Sequence, residues 1–483
     1  MTGLPAAGAA GGPAPYRVAV IGGGLAGITA AVALSEAGAA VTLLEARPRL
    51  GGATCSFTRG GLVVDTGQHV FLRCCTAYRG LLGRLGMTGG VRLQDRFDVT
   101  VLSPHAPGGR ARLRRTALPG PLHMGAALAR YPLLSPAERL RVARAALAMR
   151  WLDPGEPGTG GQRLGDWLAA HGQGEGARRA LWDLFTVSAL NIAGDDASLD
   201  LAATVVKTAL LGKRDAADIG VPTVPLGELH GAAGAALLRR RGAEVRLGAK
   251  AAAVEPGPPG GAAFAVHLAR GGAGSGEVVS ADAVVIATPP QAAAALVPQA
   301  AGLPSARWRE LGSSPIVNVH VIYDRPVMDV PFAAAADSPV QWVFDRTRIA
   351  GLSGPGQYLA ISLSAADSYV DLPAARLREI FVPALARLLP AAREAQVTDF
   401  FVTRERRATF RQAPGCGQLR PRAATALPGL VLAGAWTDTG WPDTMEGAVR
   451  SGLNAAIALR REPGLRAWLG GRESLGELRG VAA

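Results

Sequence analysis

Apolar positions in this chain cluster in short runs rather than spreading evenly. Val18–Ile21 is such a run, and Val41–Leu44 is another, with an Ala- and Leu-rich stretch between them that ends at Gly38. Uninterrupted apolar runs of this length read as strands buried on both faces, and the intervening stretch reads as a helix. The same alternation returns at 226–289, where a helix through Leu237 and Leu238 precedes strands near Val245–Leu247 and Ala263–Leu268. The run at 281–290, ADAVVIATPP, reads as a buried strand stopped by two prolines. A last short strand, 429–432, leads into a helix rich in Gly447, Ala448, Ser451 and Gly452, small residues expected to approach a cofactor closely. Gly- and Pro-rich joints at 104–121, 154–162, 255–276 and 351–356 separate these segments. Sheet-like sequence that returns after long insertions predicts a nucleotide-binding domain assembled from separated pieces, with a second domain built from the rest.

Within the first unit, Gly22, Gly24 and Gly27 form G-x-G-x-x-G between strand and helix, and Glu45 ends the next strand eighteen residues after Gly27. The first glycine permits a tight turn, the second lets the backbone approach a pyrophosphate, and the third lets helix and sheet pack closely. The helix N-terminus faces the phosphates. An acid at the position of Glu45 accepts hydrogen bonds from a ribose.

Composition narrows the class. A chain of 483 residues, 48% hydrophobic, buries a sizeable core and exceeds one simple domain. The formal charge of +13 is nearly all arginine, since Lys207, Lys213 and Lys250 are the only lysines. The positive sign favours anionic membrane surfaces or polyanions. The basic clusters lack interleaved aromatics and any nucleic-acid-binding motif, so nucleic acid is not an expected partner. Cys55, Cys74, Cys75 and Cys416 form neither C-x-x-C nor zinc-ligand spacing, so no metal site is expected and reduced, packed thiols are. Residues 1–15 have neither the charge nor the apolar core of a signal peptide and read as a flexible leader. With no apolar stretch of transmembrane length, the expected location is cytoplasmic, with a surface contact at the inner face of the membrane left open. Residues 131–152 support that contact. They carry a capping box, Ser135-Pro136-Ala137-Glu138, and then a helix that mixes Leu140, Ala143, Leu147, Met149 and Trp151 with Arg139, Arg141, Arg144 and Arg150. It reads as a cationic amphipathic helix, either resting on a bilayer or lying on the domain surface.

The segment Glu45-Ala-Arg47-Pro-Arg49-Leu-Gly51-Gly52 resembles the second flavin motif of the FAD-dependent amine oxidoreductase and phytoene desaturase superfamily. AG-x-x-T followed by MEGA-x-x-SG is similar to its closing motif. The resemblance spans almost the whole chain and implies FAD as cofactor. It implies Arg49, Gly51, Gly52, Gly67, Gln68, Gly434, Met445, Glu446 and Gly447 as flavin-facing, beside Gly22, Gly24, Gly27 and Glu45. Within the superfamily, Asp65-Thr-Gly67-Gln68-His69-Val, SALN at 188–191, PLGELH at 225–230, ERRATF at 405–410 and the stretch 437–452 most resemble the hydroxysqualene dehydroxylases. That resemblance implies an apolar isoprenoid substrate, with hydroxysqualene reduced to squalene in hopanoid and triterpene synthesis. Two alternatives stay open: a carotenoid or phytoene-type desaturase, and a flavin-binding protein that has lost its chemistry. Two positions depart from the pattern, with Ala53 in place of an arginine and Ala435 in place of an aspartate. Asp438 or Arg49 is the expected compensation.

The implied reaction needs a proton for the leaving hydroxyl. His69 is the first candidate, because imidazole titrates near neutrality, with Glu446 and Asp65 behind it and Asp443 in support. A plain hydrogen-bonding role for any of them stays open. Trp436, Trp441 and Phe71 read either as apolar walls of the site or as core. The expected architecture is α/β, a Rossmann-like FAD-binding domain from discontinuous segments (16–105, 225–305, 415–483) with an inserted α+β substrate domain (106–224, 306–414).

Overall fold

The computed structural model describes residues 15–462, apart from 157, 259 and 275; the expected leader and the final segment fall outside the described residues. The apolar runs at 18–21 and 41–44 become neighbouring parallel strands, β1 (Arg17–Ile21) and β2 (Ala40–Glu45), in a five-stranded sheet with β3 (Glu244–Leu247), β4 (Ala283–Ile286) and β5 (Leu430–Leu432). The order is β3-β2-β1-β4-β5, all parallel, with Ile21 level with both Leu44 and Ile286. Because both faces are covered, β4 is buried at every position. Helix α1 (Leu25–Glu36) is buried from Leu25 to Leu34, which explains its lack of a polar face.

Three further helices matter for the site. Helix α2 (Thr76–Leu85) follows the loop that carries His69, and α3 (Pro136–Trp151) opens on the capping box expected there. Ser135 Oγ accepts from the Glu138 backbone N–H at 3.3 Å, and the Glu138 carboxylate accepts from the Ser135 N–H at 2.8 Å. Helix α4 (Met445–Arg461) packs along α1. A Cβ at Gly452 would lie 2.3 Å from the Ala26 carbonyl oxygen, so this glycine serves a helix-helix contact rather than the cofactor approach expected of it.

A second, seven-stranded sheet joins residues 397–409, 314–323, 357–363, 342–345, 332–335, 98–102 and 110–114, in that order. The hairpin Asp98–Leu102/Arg110–Arg114 belongs to this sheet, so the boundary expected at residue 105 falls inside one unit. The expected amphipathic character of α3 is also corrected. Val142, Ala145 and Met149 point inward, whereas Leu140, Leu147 and Trp151 are exposed together with Arg141, Arg144 and Arg150. Its apolar residues are therefore divided between two faces.

Candidate active site and cofactor cleft

The glycine-rich turn at the end of β1 has the close contacts that G-x-G-x-x-G demands. A Cβ at Gly27 would lie 1.8 Å from the Gly22 carbonyl oxygen, and Gly22 adopts φ +108°. Gly24 differs, since the nearest protein atom to a Cβ there is Gly52 Cα at 3.9 Å, which leaves open space above the helix N-terminus. Gly51 donates its N–H to the Gly23 carbonyl at 2.8 Å, so the second flavin motif is fastened to the first. Gly51 and Gly52 both take positive φ, +107° and +59°. Glu45 accepts from the Gly23 N–H at 2.6 Å and from the Arg47 N–H at 2.8 Å. Each of its oxygens keeps a lone pair for a further donor.

Several buried polar atoms on the motif segments and beside Gly22 have no partner among the described residues. They are both amide atoms of Gln68, Arg49 Nη1 and Thr288 Oγ1. Orphaned buried groups are costly, about 1–3 kcal/mol each. A ligand rich in acceptors and donors satisfies them, so the residues present fit a flavin dinucleotide.

The loop 65–69 is held by long-range contacts. Asp65 is buried and fully engaged: it pairs with Arg346 and accepts from Ser56 Oγ at 2.5 Å and from the Leu226 N–H at 3.0 Å. Removing one member of a buried pair of this kind costs about 3–5 kcal/mol. The Thr66 carbonyl accepts from Asn318 Nδ2 at 3.2 Å, tying the loop to the seven-stranded sheet. The Nδ1 of His69 lies 3.2 Å from the Gly67 carbonyl, a contact that requires the proton on Nδ1 and leaves Nε2 as an acceptor. Burial pushes the His69 pKa below its ordinary value, outweighing the Gly67 contact and the field of Asp65. His230, from PLGELH, is pushed down to about 3 by burial and then by His69, and its Nε2 contacts Tyr78 Oη at 2.7 Å.

Glu446 likewise turns out to have structural partners. Its carboxylate accepts from the Ala77 N–H at 3.2 Å, the Tyr78 N–H at 2.7 Å and Arg450 Nε at 2.7 Å. It therefore caps α2 from a distant part of the chain, in place of Cys75, whose side chain makes no cap. Asp443, pushed up to about 6 by burial, accepts from the Phe410 N–H at 2.9 Å. Met445 and Gly447 begin α4, where Thr444 Oγ1 accepts from the Gly447 N–H at 3.1 Å. Gly434 takes φ +138° and donates its N–H to Ser451 Oγ at 2.8 Å.

Arg420 is the main residue that sequence reasoning missed. Its buried guanidinium donates to the carbonyls of Ala435 at 3.1 Å, Thr437 at 2.6 Å and Trp441 at 2.8 Å, gathering the closing-motif loop around one cation. The loop at Ala435 is thus held through its backbone, whereas Asp438, expected as compensation, is exposed. The aromatic residues expected as walls have protein neighbours: Trp436 packs 4.8 Å from Trp308, Phe71 packs edge-on to Tyr78 at 5.1 Å, and the Arg450 guanidinium lies 4.6 Å over Trp441.

A parallel sheet with a glycine-rich first turn and a second motif docked on it defines a dinucleotide-binding oxidoreductase. The family of flavin containing amine oxidoreductases matches residues 25–459, and this chain belongs to that family as an FAD-dependent oxidoreductase. The chain is 31% identical to the hydroxysqualene dehydroxylase of Rhodopseudomonas palustris, over 91% of this chain and 97% of that one. It is 29% identical to the enzyme of that name from Sinorhizobium fredii, over 92% and 98%. The 15-cis-phytoene desaturase of Glycine max is 25% identical, over 94% of this chain and 81% of its own length. Among solved structures, putrescine oxidase bound to putrescine shares the fold, with a TM-score of 0.66 at 19% identity over 92% of this chain and 98% of that one.

Proposed function

We propose that this protein reduces hydroxysqualene to squalene in hopanoid or related triterpene synthesis. The observation that carries this reading is the nearly end-to-end similarity to two hydroxysqualene dehydroxylases, higher in identity and in the share of the relative's own length than that to the phytoene desaturase. Reduced FAD, when bound, supplies the hydride that replaces the hydroxyl. The hydroxyl leaves as water with one added proton, which balances the two electrons delivered.

In this reading the protein's residues divide the remaining work. The turn of Gly22, Gly24 and Gly27 and the paired Gly51 and Gly52 receive the pyrophosphate, and Glu45 receives a ribose hydroxyl. Arg49, Gln68 and the backbone of Gly67, Gly434, Met445 and Gly447 border the flavin. Asp65 and Glu446 are positioning residues: the first locks the loop that carries His69, and the second fixes the start of α2 against α4. His69 is the proton donor once its imidazole is charged. No helix among the described residues is long and apolar enough to cross a membrane. A triterpene alcohol partitions into lipid, so the cytoplasmic face of a bilayer is the proposed place of work.

The test incubates dithionite-reduced protein with hydroxysqualene, and oxidised protein with phytoene, and analyses the products. Squalene from the first incubation alone supports the reading. A desaturated product from the second, with no squalene from the first, overturns it in favour of a desaturase.

A further inference from the structure

Among the described residues, large apolar side chains that face solvent are not scattered. Of Phe57, Leu118, Leu122, Leu140, Leu147, Trp151 and Val278, five fall between residues 118 and 151, and Trp151 is 83% exposed. On α3 the outward positions Leu140, Arg144, Leu147 and Trp151 recur at intervals of four, three and four, which places them in one stripe. Arg141 and Arg150 flank it. Among the described residues Arg141, Arg144 and Arg150 make neither an ion pair nor a hydrogen bond, although most arginines elsewhere have carboxylate or carbonyl partners.

The exposed turn at Leu118–Leu122 belongs to the same unit. It leads into the short helix Gly125–Ala129, which packs on α3. The segment 206–214 ties both ends: Lys207 Nζ donates to the Leu152 carbonyl at 2.6 Å, and Arg214 Nη1 donates to the Ala117 carbonyl at 3.2 Å. Lys213 and Arg214 are exposed beside the turn.

We infer that this face, the turn Leu118–Leu122 with the outward stripe of α3, docks on an anionic lipid bilayer. Leucines and one tryptophan interspersed with unpaired arginines match the boundary between acyl chains and headgroups, where the apolar groups insert and the guanidiniums meet phosphates. A second copy of this chain fits poorly, because a two-fold contact would oppose the same unpaired arginines. The inference takes its purpose from the lipid-soluble substrate proposed above but draws its support from this surface alone.

The experiment is co-sedimentation of the full chain, without substrate, with vesicles of phosphatidylcholine alone or mixed with phosphatidylglycerol, at low and moderate salt. The protein should bind the anionic vesicles and release as salt rises. The double variant Leu147→Ser/Trp151→Ser should weaken partitioning by at least about tenfold. Arg141→Gln/Arg144→Gln should weaken it by about 30-fold, as two surface cations are lost. All four side chains face solvent, so the melting temperature should hold, and thermal melting checks that each variant folds. Wild-type protein that ignores anionic vesicles overturns the inference, as does equal binding by all variants. A change of oligomeric state in Leu147→Ser/Trp151→Ser would instead assign the face to a protein contact. Because no substrate is present, failure here leaves the dehydroxylation reading standing, and failed catalysis in detergent leaves this result unmoved.

Discussion

In the proposed dehydroxylation His69 is the proton donor, and its protonation state sets the terms. Nδ1–H donates to the Gly67 carbonyl, and burial holds the pKa below the ordinary histidine value, so at any pH less of the imidazole is charged than in a free histidine. Because the pKa is depressed, the charged form grows as pH falls. Turnover per bound flavin should therefore rise by up to about tenfold per unit between pH 8 and the His69 pKa. His69→Ala should keep FAD, lower turnover by ~10²–10⁴-fold and flatten this pH dependence. Single-turnover product per bound flavin, measured across pH, is the check; undiminished turnover in His69→Ala excludes the acid role. His69 was legible as a candidate from its place in the sequence. The partners of Asp65 and Glu446 were not, because Arg346 and the N–H groups of Ala77 and Tyr78 lie hundreds of residues away and leave no local pattern. Arg420 was invisible for a different reason, since its acceptors are backbone carbonyls that any residue supplies.

At the scale of elements, two glycines separate cofactor binding from packing. Gly24 borders open space, whereas Gly452 presses against the backbone of α1. Gly24→Val should leave the fold intact and abolish FAD retention, because its methyl groups enter the volume assigned to the pyrophosphate. Gly452→Val should destabilise the protein by about 1–3 kcal/mol or more, since its Cβ would lie 2.3 Å from the Ala26 carbonyl oxygen and cannot be admitted without movement. Flavin absorbance of the purified variants and their thermal melting read the two effects separately. Full FAD retention in folded Gly24→Val would remove the cradle from the cofactor. The elements themselves were readable where a local rule applied: runs of buried apolar residues gave β1, β2 and β4, and the capping box gave the start of α3. Which face of α3 is buried depends on neighbours from other parts of the chain, so its divided apolar surface was not readable.

For the molecule as a whole, the parallel sheet draws strands from three separated stretches, and the loop 65–69 is pinned between that domain and the seven-stranded sheet. The return of sheet-like runs after long insertions made the discontinuous sheet legible. The attribution of the hairpin at 98–114 to the second sheet was hidden, because a strand pattern does not say which sheet it joins. Arg49 Nη1 and Thr288 Oγ1 stay without protein partners beside the glycine cradle. The most direct test of hydride delivery to hydroxysqualene is an anaerobic single turnover of photoreduced holoenzyme, following the flavin spectrum and the product together. The expected result is return of the oxidised flavin absorbance with one squalene formed per flavin. Reduced flavin that persists in the presence of hydroxysqualene, with no squalene, would contradict it.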